Sequence, residues 1–323
     1  MAQSLFKLIK QATPDAMLDV LAPAWTLPLL NYMPEVENGI AMPVTHGQLG
    51  LTQRYRLGRQ LRAQQYSQAL VLPNSWKSAL IPWFATIPIR TGFIGECRYG
   101  LLNDSRRLDK MLLPMTVQRF AALSLAGAIT STPDFPNPRL EVSTEARQAV
   151  AAKFAVDTQT KLLALCPGAE YGPAKQWPSD YFAELAKAKH AQGWQVGLFG
   201  STKDKPVAEA INRVSGNVCQ DFTGRTDLAD AVALLALADS VVSNDSGLMH
   251  VAAALDKPVI ALFGSSSPTF TPPLSDKAQV MSLNLSCSPC FKRVCPLYAK
   301  DDKRYLECLT GIKPEHILSL LPS

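Results

Sequence analysis

Short apolar runs recur along the chain with amphipathic stretches between them. LDVLAPA, GIAMPV, ALVLPNS and IRTGFIG predict strands in the first half, and KLLALCPG, WQVGLFGS, ADSVVSNDSG and PVIALFGSS predict strands in the second. Between them, stretches such as SDYFAELAKAKHAQG and LADAVALLALA carry the helical spacing. Continuous apolar runs mark strands buried on both faces, so their alternation with helices implies parallel sheets covered on each side. The pattern runs twice. Three prolines in STPDFPNPRL, ahead of the charged helix EARQAVAAKFAV, place the break within residues 131–160. We divide the chain into an N-terminal domain, residues 1–150, and a C-terminal domain, residues 151–323. The expected fold class is α/β, two Rossmann-like, doubly wound domains facing across a cleft.

Composition narrows the function classes. With 323 residues, 47% hydrophobic and 18% charged, the chain has material for two real cores and is not a disordered or fibrous sequence. No apolar run approaches the length of a membrane span, and MAQSLFKLIKQ lacks the apolar core and cleavage site of a signal peptide. The expected compartment is the cytoplasm, where the seven cysteines stay reduced, which argues against a secreted disulfide scaffold.

Charge is uneven. The window from Arg54 to Lys110 holds ten Lys or Arg against three Asp or Glu, a net +7 in a chain of net +5. No aromatic-interleaved RNA motif, zinc finger or basic helix accompanies it, so nucleic acid is not the expected partner. Arg54, Arg56, Arg59 and Arg62 read as the solvated face of a helix. Arg90, Arg98, Arg106 and Arg107, set among glycines and short apolar runs, read as a site for an anionic small substrate or a membrane headgroup.

In open α/β sheets ligands lie beyond the carboxyl ends of the strands, so CPGAEYGPAK, FGSTKD, SNDSG and FGSSSP are expected to meet at one rim. The sharpest string is VVSNDSGLMHVAAAL. A buried strand stops at Asn244 and Asp245, Ser246 and Gly247 turn the chain, and a helix of small residues starts at once, aiming free backbone N–H groups at the rim. Such an end holds phosphate. Plain helix capping by Asp245 or Ser246 also accounts for the string, and His250, in the first turn, is as readily a packed side chain as a ligand contact. Lys175, after the glycine-containing bend of PGAEYGPAKQWP, brings an ammonium group to the same rim, suited to a diphosphate that leaves with negative charge. No GxGxxG follows a strand, and Walker, GxSxG and HExxH motifs are absent, which counts against dinucleotide, P-loop, hydrolase and metalloprotease chemistry.

The strings PGAEYGPAKQWP and SNDSGLMHVAAALDKPVIALFGSSSPTFTPP resemble those of the ADP-heptose:lipopolysaccharide heptosyltransferases, glycosyltransferase family 9. LDVLAPAW, LPNSWKSALIPWFA and RTGFIGECRYGLLND extend the resemblance over nearly the whole chain. It implies a GT-B fold, with an N-terminal domain for the lipopolysaccharide acceptor and a C-terminal domain for the nucleotide sugar. The implied reaction is inverting transfer of L-glycero-D-manno-heptose from ADP-heptose to the heptose of the inner core, heptosyl-Kdo2-lipid A, with no cofactor and no metal at the diphosphate. The implied place of work is peripheral, on the cytoplasmic face of the inner membrane. A different acceptor, as in heptosyltransferases I and III, or a catalytically impaired nucleotide-sugar-binding protein, are the alternatives.

Carried over residue by residue, the resemblance implies donor-site roles for Asp245, Ser246, Gly247, Leu248 and His250. It places Lys175 at the diphosphate, where it stabilises the leaving group. Gly168, Ala169 and Glu170 fall near the phosphates and sugar, and Asp221 near the adenosine. The arginine cluster is expected to meet phosphate and acidic sugar groups of the inner core. In the family, a first strand and a loop bearing the aspartate taken as general base precede the match to AQSLF, and no residue here aligns with them. The expectation is therefore an N-terminal domain lacking its first strand, from a truncated or misplaced start, that binds ADP and transfers heptose slowly; no base is named.

Cys287, Cys290, Cys295 and Cys308 stand apart from these motifs. Their spacing, CxxC, four residues, Cys, twelve residues, Cys, suits an all-thiolate zinc site, and packing of reduced cysteines is the competing reading.

Overall fold

The computed structural model describes residues 1–45 and 47–322. The chain divides into two compact units, Met1–Pro136 and Asn137–Ser323. The break falls inside the 131–160 window, but a cut at 150 would run through a helix, so the boundary moves to Pro136, within the proline-rich string.

The first unit contains α1 (Ala2–Ala12), β1 (Asp19–Pro23), α2 (Leu27–Leu30), β2 (Asn38–Met42), α3 (Leu51–Leu61), β3 (Gln68–Val71), α4 (Leu80–Phe84), β4 (Ile89–Phe93), β5 (Asp104–Arg106) and α5 (Thr116–Ala121). The second contains α6 (Thr144–Phe154), β6 (Leu162–Cys166), α7 (Ser179–Ala191), β7 (Gln195–Leu198), α8 (Lys205–Ser215), β8 (Cys219–Asp221), α9 (Leu228–Leu235), β9 (Ser240–Asn244), α10 (Gly247–Ala254), β10 (Val259–Leu262), β11 (Ala278–Met281), α11 (Glu307–Thr310) and α12 (Pro314–Leu320).

In the second unit the apolar runs become one six-stranded parallel sheet in the order β11-β10-β9-β6-β7-β8. Every residue of β6, β9 and β10 is buried, as continuous runs such as LLALC and VIAL require of strands covered on both faces. One layer of that cover is α7, which packs on α8 and α12 and buries Phe182, Ala183 and Leu185. Trp177, 1% exposed, seals the same core, with its indole N–H donating to the Ile312 carbonyl at 2.9 Å. The chain winds one way through β6, β7 and β8, then returns past β6 to continue at β9. β6 and β9 are therefore the neighbours at which strand order reverses, where the loops part and leave a crevice.

The first unit carries the same order in two pieces. β1 pairs only with β2, and β3, β4 and β5 form a separate parallel sheet. Counterparts of β7 and β8 (β1 and β2) and of β9, β10 and β11 (β3, β4 and β5) are present. No strand among the described residues takes the place between β1 and β3 that β6 holds in the second unit. Val20, Leu21 and Ala22 of β1 are only half-buried, whereas β6 is buried throughout. The Tyr66 hydroxyl donates to the Asp19 carboxylate at the head of the two pieces. α1 buries Leu5 and Phe6 and packs on α5. The short strands β5, β8 and β11 were not expected from the sequence.

Candidate active site

The carboxyl ends of β6 and β9, paired through Cys166 and Ser243, position the site. After β6 the chain runs through Gly168, Ala169, Glu170, Tyr171 and Gly172 into a helical turn, Pro173–Lys175. A Cβ at position 168 would stand 2.5 Å from the Asp204 carboxylate, so a larger residue there would force that side chain to move. Gly172, at φ +140°, passes so close to the Arg293 carbonyl that a Cβ would meet it at 3.0 Å. After β9, Ser246 caps α10, its hydroxyl accepting the Met249 N–H at 3.4 Å. Capping is thus real for Ser246. Asp245 has another partner: its buried carboxylate lies 2.5 Å from the Lys175 ammonium.

Asn244 holds the two loops together. Fully buried, it donates from Nδ2 to the Pro167 carbonyl at 2.7 Å and accepts the Trp177 N–H at 3.1 Å. One amide thereby fixes the Lys175 loop on both sides. Tyr171 is the second residue that the sequence reading passed over. Its ring lies 5.2 Å from Lys175 Nζ, and its hydroxyl donates to the Phe291 carbonyl at 2.6 Å. Neither has a signal in one sequence beyond a polar residue at a strand end and an aromatic in a loop.

The first turn of α10 completes the rim. The N–H groups of Gly247 and Leu248 have no acceptor within the helix, and no atom lies within 4 Å of a Cβ built at Gly247. An ammonium and backbone donors converging on open space suit an anion, with greatest effect where charge grows as a bond breaks. His250 lies one turn in. Burial pushes its imidazole down to about 4, so it is neutral near pH 7. Glu170 is exposed and pairs with the exposed Lys203. Asp221 ends β8, two strand spacings or roughly 10 Å from β6. Its carboxylate accepts the N–H and hydroxyl of Thr223 at 2.8 and 2.6 Å, so it shapes its own turn at the same rim.

The arginine cluster does not assemble. Arg98 is 2% exposed and donates to the carbonyls of Pro73 and Phe93, which ties the ends of β3 and β4 together. Arg106, 8% exposed, forms a two-bond pair with Asp104 and donates to the Leu125 carbonyl at 2.6 Å. That pairing holds the Asp104 carboxyl below its usual range. Arg90 lies toward the other end of β4 and donates to the carbonyls of Leu101 and Ile87. Only Arg107 is exposed. The reading of four arginines as one anion site is corrected: Arg98 and Arg106 are buried structural cations, half-buried Arg90 is committed to carbonyls, and Arg107 alone faces solvent.

All four C-terminal cysteines line one cavity, together with Ala174, Gly264 and Ser265. Among the described residues, no three His, Cys, Asp or Glu side chains stand together at metal-holding spacing. Nor is any helix among them long and apolar enough to cross a membrane.

Helix amides and a paired lysine at the switch point of a doubly wound sheet make a rim suited to an anion in an α/β protein. The chain belongs to glycosyltransferase family 9, the heptosyltransferases, whose family model matches residues 54–300. It is 50% identical over 292 residues to lipopolysaccharide heptosyltransferase 2 of Salmonella typhimurium, covering 88% of this chain and 84% of that protein. It is 48% identical to the Escherichia coli K12 protein of that name, with the same coverage. The solved structure of E. coli ADP-heptose LPS heptosyltransferase II superposes with a TM-score of 0.85 at 42% identity, covering 99% of this chain and 92% of that one. The protein is a glycosyltransferase whose α/β fold of parallel sheets matches the GT-B heptosyltransferase structures.

Proposed function

We propose that the protein transfers heptose from ADP-heptose to the heptose of the lipopolysaccharide inner core, with inversion at the anomeric carbon. The observation that carries this reading is the Lys175–Asp245 pair at the first turn of α10. As the bond from C1 to the diphosphate breaks, ADP gains charge at its terminal phosphate. Lys175 and the Gly247 and Leu248 N–H groups meet that charge, binding the transition state more tightly than the ground state. Asp245 aims the ammonium, and the neutral His250 adds no competing cation. In this reading the leaving group needs neither a cofactor nor a metal ion. Ala169 and Glu170 border the sugar, and Asp221 lies on the adenosine side.

The acceptor is lipid-anchored in this proposal, so the enzyme works at the cytoplasmic face of the inner membrane. Unit 1 supports that placement: from Asn38 to Gly95 the chain has no acidic residue. Within that stretch Tyr55, Arg56 and Arg59 are exposed on α3, and Trp83 on α4, a mixture suited to anionic headgroups. Incubation with ADP-heptose and heptosyl-Kdo2-lipid A tests the proposal. It requires ADP release matched by a gain of one heptose mass on the lipid. ADP release without that gain removes the acceptor assignment.

A further inference from the structure

The segment between β11 and α11, residues 282–306, contains no helix or strand and not one buried residue. Long stretches of this kind, lacking a core of their own, are held by something else. Phe291, Val294 and Leu297 are exposed, so apolar packing does not hold it. What it has is cysteine. Cys287, Cys290 and Cys295 from the segment and Cys308 just beyond it line one small cavity of about 30 Å³, the scale of a single ion or water molecule.

These cysteines do not behave as packing residues. Free cysteines used as small hydrophobes are buried, and Cys166 and Cys219 in the sheet are so. The four at the cavity are exposed or half-exposed. From Cys287 to Cys308 there are five Lys or Arg against three Asp or Glu, a net +2 that offsets the −2 of a divalent ion with four thiolates.

We propose that Cys287, Cys290, Cys295 and Cys308 bind one divalent, thiol-seeking metal ion of the zinc type, as a structural staple for residues 282–306. Zn²⁺ displaces four thiol protons to the buffer and forms four Zn–S bonds, with no change of oxidation state. The side chains close on the ion by rotation, since no three of them already stand at ligand spacing. The segment touches the loop after β6 through its backbone, the Tyr171 side chain and the Arg293 guanidinium, which lies 5.3 Å from the Tyr171 ring. The Arg293 carbonyl accepts the Ala174 N–H at 3.1 Å, the Phe291 carbonyl accepts the Tyr171 hydroxyl, and the Phe291 N–H donates to the Ser265 carbonyl at 2.7 Å.

The test is metal analysis of the full chain purified under reducing conditions with zinc supplied. About one zinc per chain is expected, released by a mercurial thiol reagent as four thiols react. Cobalt in its place should give sulfur-to-metal charge-transfer and tetrahedral absorption. Cys290→Ser and Cys295→Ser should each weaken binding at least tenfold, while Cys97→Ser, outside the cavity, leaves it unchanged. Stripping the metal from the wild-type chain should speed tryptic cleavage within 282–306 at least tenfold, a readout independent of variant folding and of enzymatic activity. Less than a tenth of an equivalent of metal with no cobalt charge-transfer band, a disulfide among these cysteines in the reduced preparation, or equal cleavage rates with and without metal would each overturn the proposal.

Discussion

Lys175 Nζ lies 2.5 Å from Asp245 Oδ2, joining the loop after β6 to the head of α10. Both side chains are largely shielded from water, at 18% and 6% exposure, so each depends on the other as well as on any ligand. Lys175→Ala is expected to slow transfer by about 2–4 kcal/mol in transition-state stabilisation, with ADP affinity falling as well. It also strands the Asp245 charge, at a cost of about 1–3 kcal/mol in stability, somewhat below that of a fully buried pair. Adding Asp245→Asn to Lys175→Ala should recover stability and not activity. Thermal melts and steady-state kinetics on the three variants check this, and unchanged kinetics in Lys175→Ala would remove the lysine from the mechanism.

Asn244→Ala leaves the Pro167 carbonyl and the Trp177 N–H without their partner in a fully buried place. The expected loss is about 1–3 kcal/mol per unsatisfied group, and the Lys175 loop is loosened on both sides. ADP affinity should therefore drop although Asn244 touches no ligand in the proposed mode. Asn244→Asp, which retains the acceptor for Trp177 and loses the donor for Pro167, should fall between. Calorimetric titration with ADP decides: wild-type affinity in Asn244→Ala would show that the loop holds without the amide.

Period and punctuation made the second unit legible. LLALC, SVVSN and VIAL are continuous apolar runs that end on small or polar residues, and the sheet follows from them. β8 and β11 escaped notice because they are short edge strands with mixed exposure, so CQD and AQVM carry no apolar signature. The convergence of Lys175, Ser246 and Gly247 beyond β6 and β9 was legible because they sit in a strand-turn-helix pattern with a direct physical reading. Asn244 was not, because its role exists only once β6 and β9 are neighbours. The arginine cluster misled for a related reason: proximity in sequence says nothing about direction, and Arg98 and Arg106 turn inward to carbonyls and to Asp104.

Acid should weaken the fold through His250. Its pKa is depressed to about 4 by burial, so between that value and the ordinary 6.5 the unfolded chain binds a proton that the folded chain refuses. Stability is then fully present above about 6.5 and is lost as pH falls toward 4, by up to roughly 3 kcal/mol from this residue. His250→Gln removes the proton and should flatten that limb of the curve. Denaturant melts at pH 4.5, 5.5 and 7 compare the two proteins, and an equal pH slope in both would place the titration elsewhere.

The arginines of the first unit separate structure from recognition. Arg98 and Arg106 are buried and committed to backbone carbonyls and a carboxylate, so Arg98→Ala and Arg106→Ala should lower the melting temperature and spoil kcat and both substrate constants through misfolding. Arg107 is exposed, one residue beyond β5. If it meets the anionic groups of the acceptor, Arg107→Glu should leave the unfolding free energy within about half a kcal/mol of wild type. It should raise the acceptor KM several-fold and leave the ADP-heptose KM alone. Added salt should act in the same direction on the wild-type acceptor KM through screening, and less on the variant. An acceptor KM indifferent to Arg107→Glu would move recognition to the acid-free stretch of α3 and α4, where Arg56 and Arg59 become the next residues to reverse.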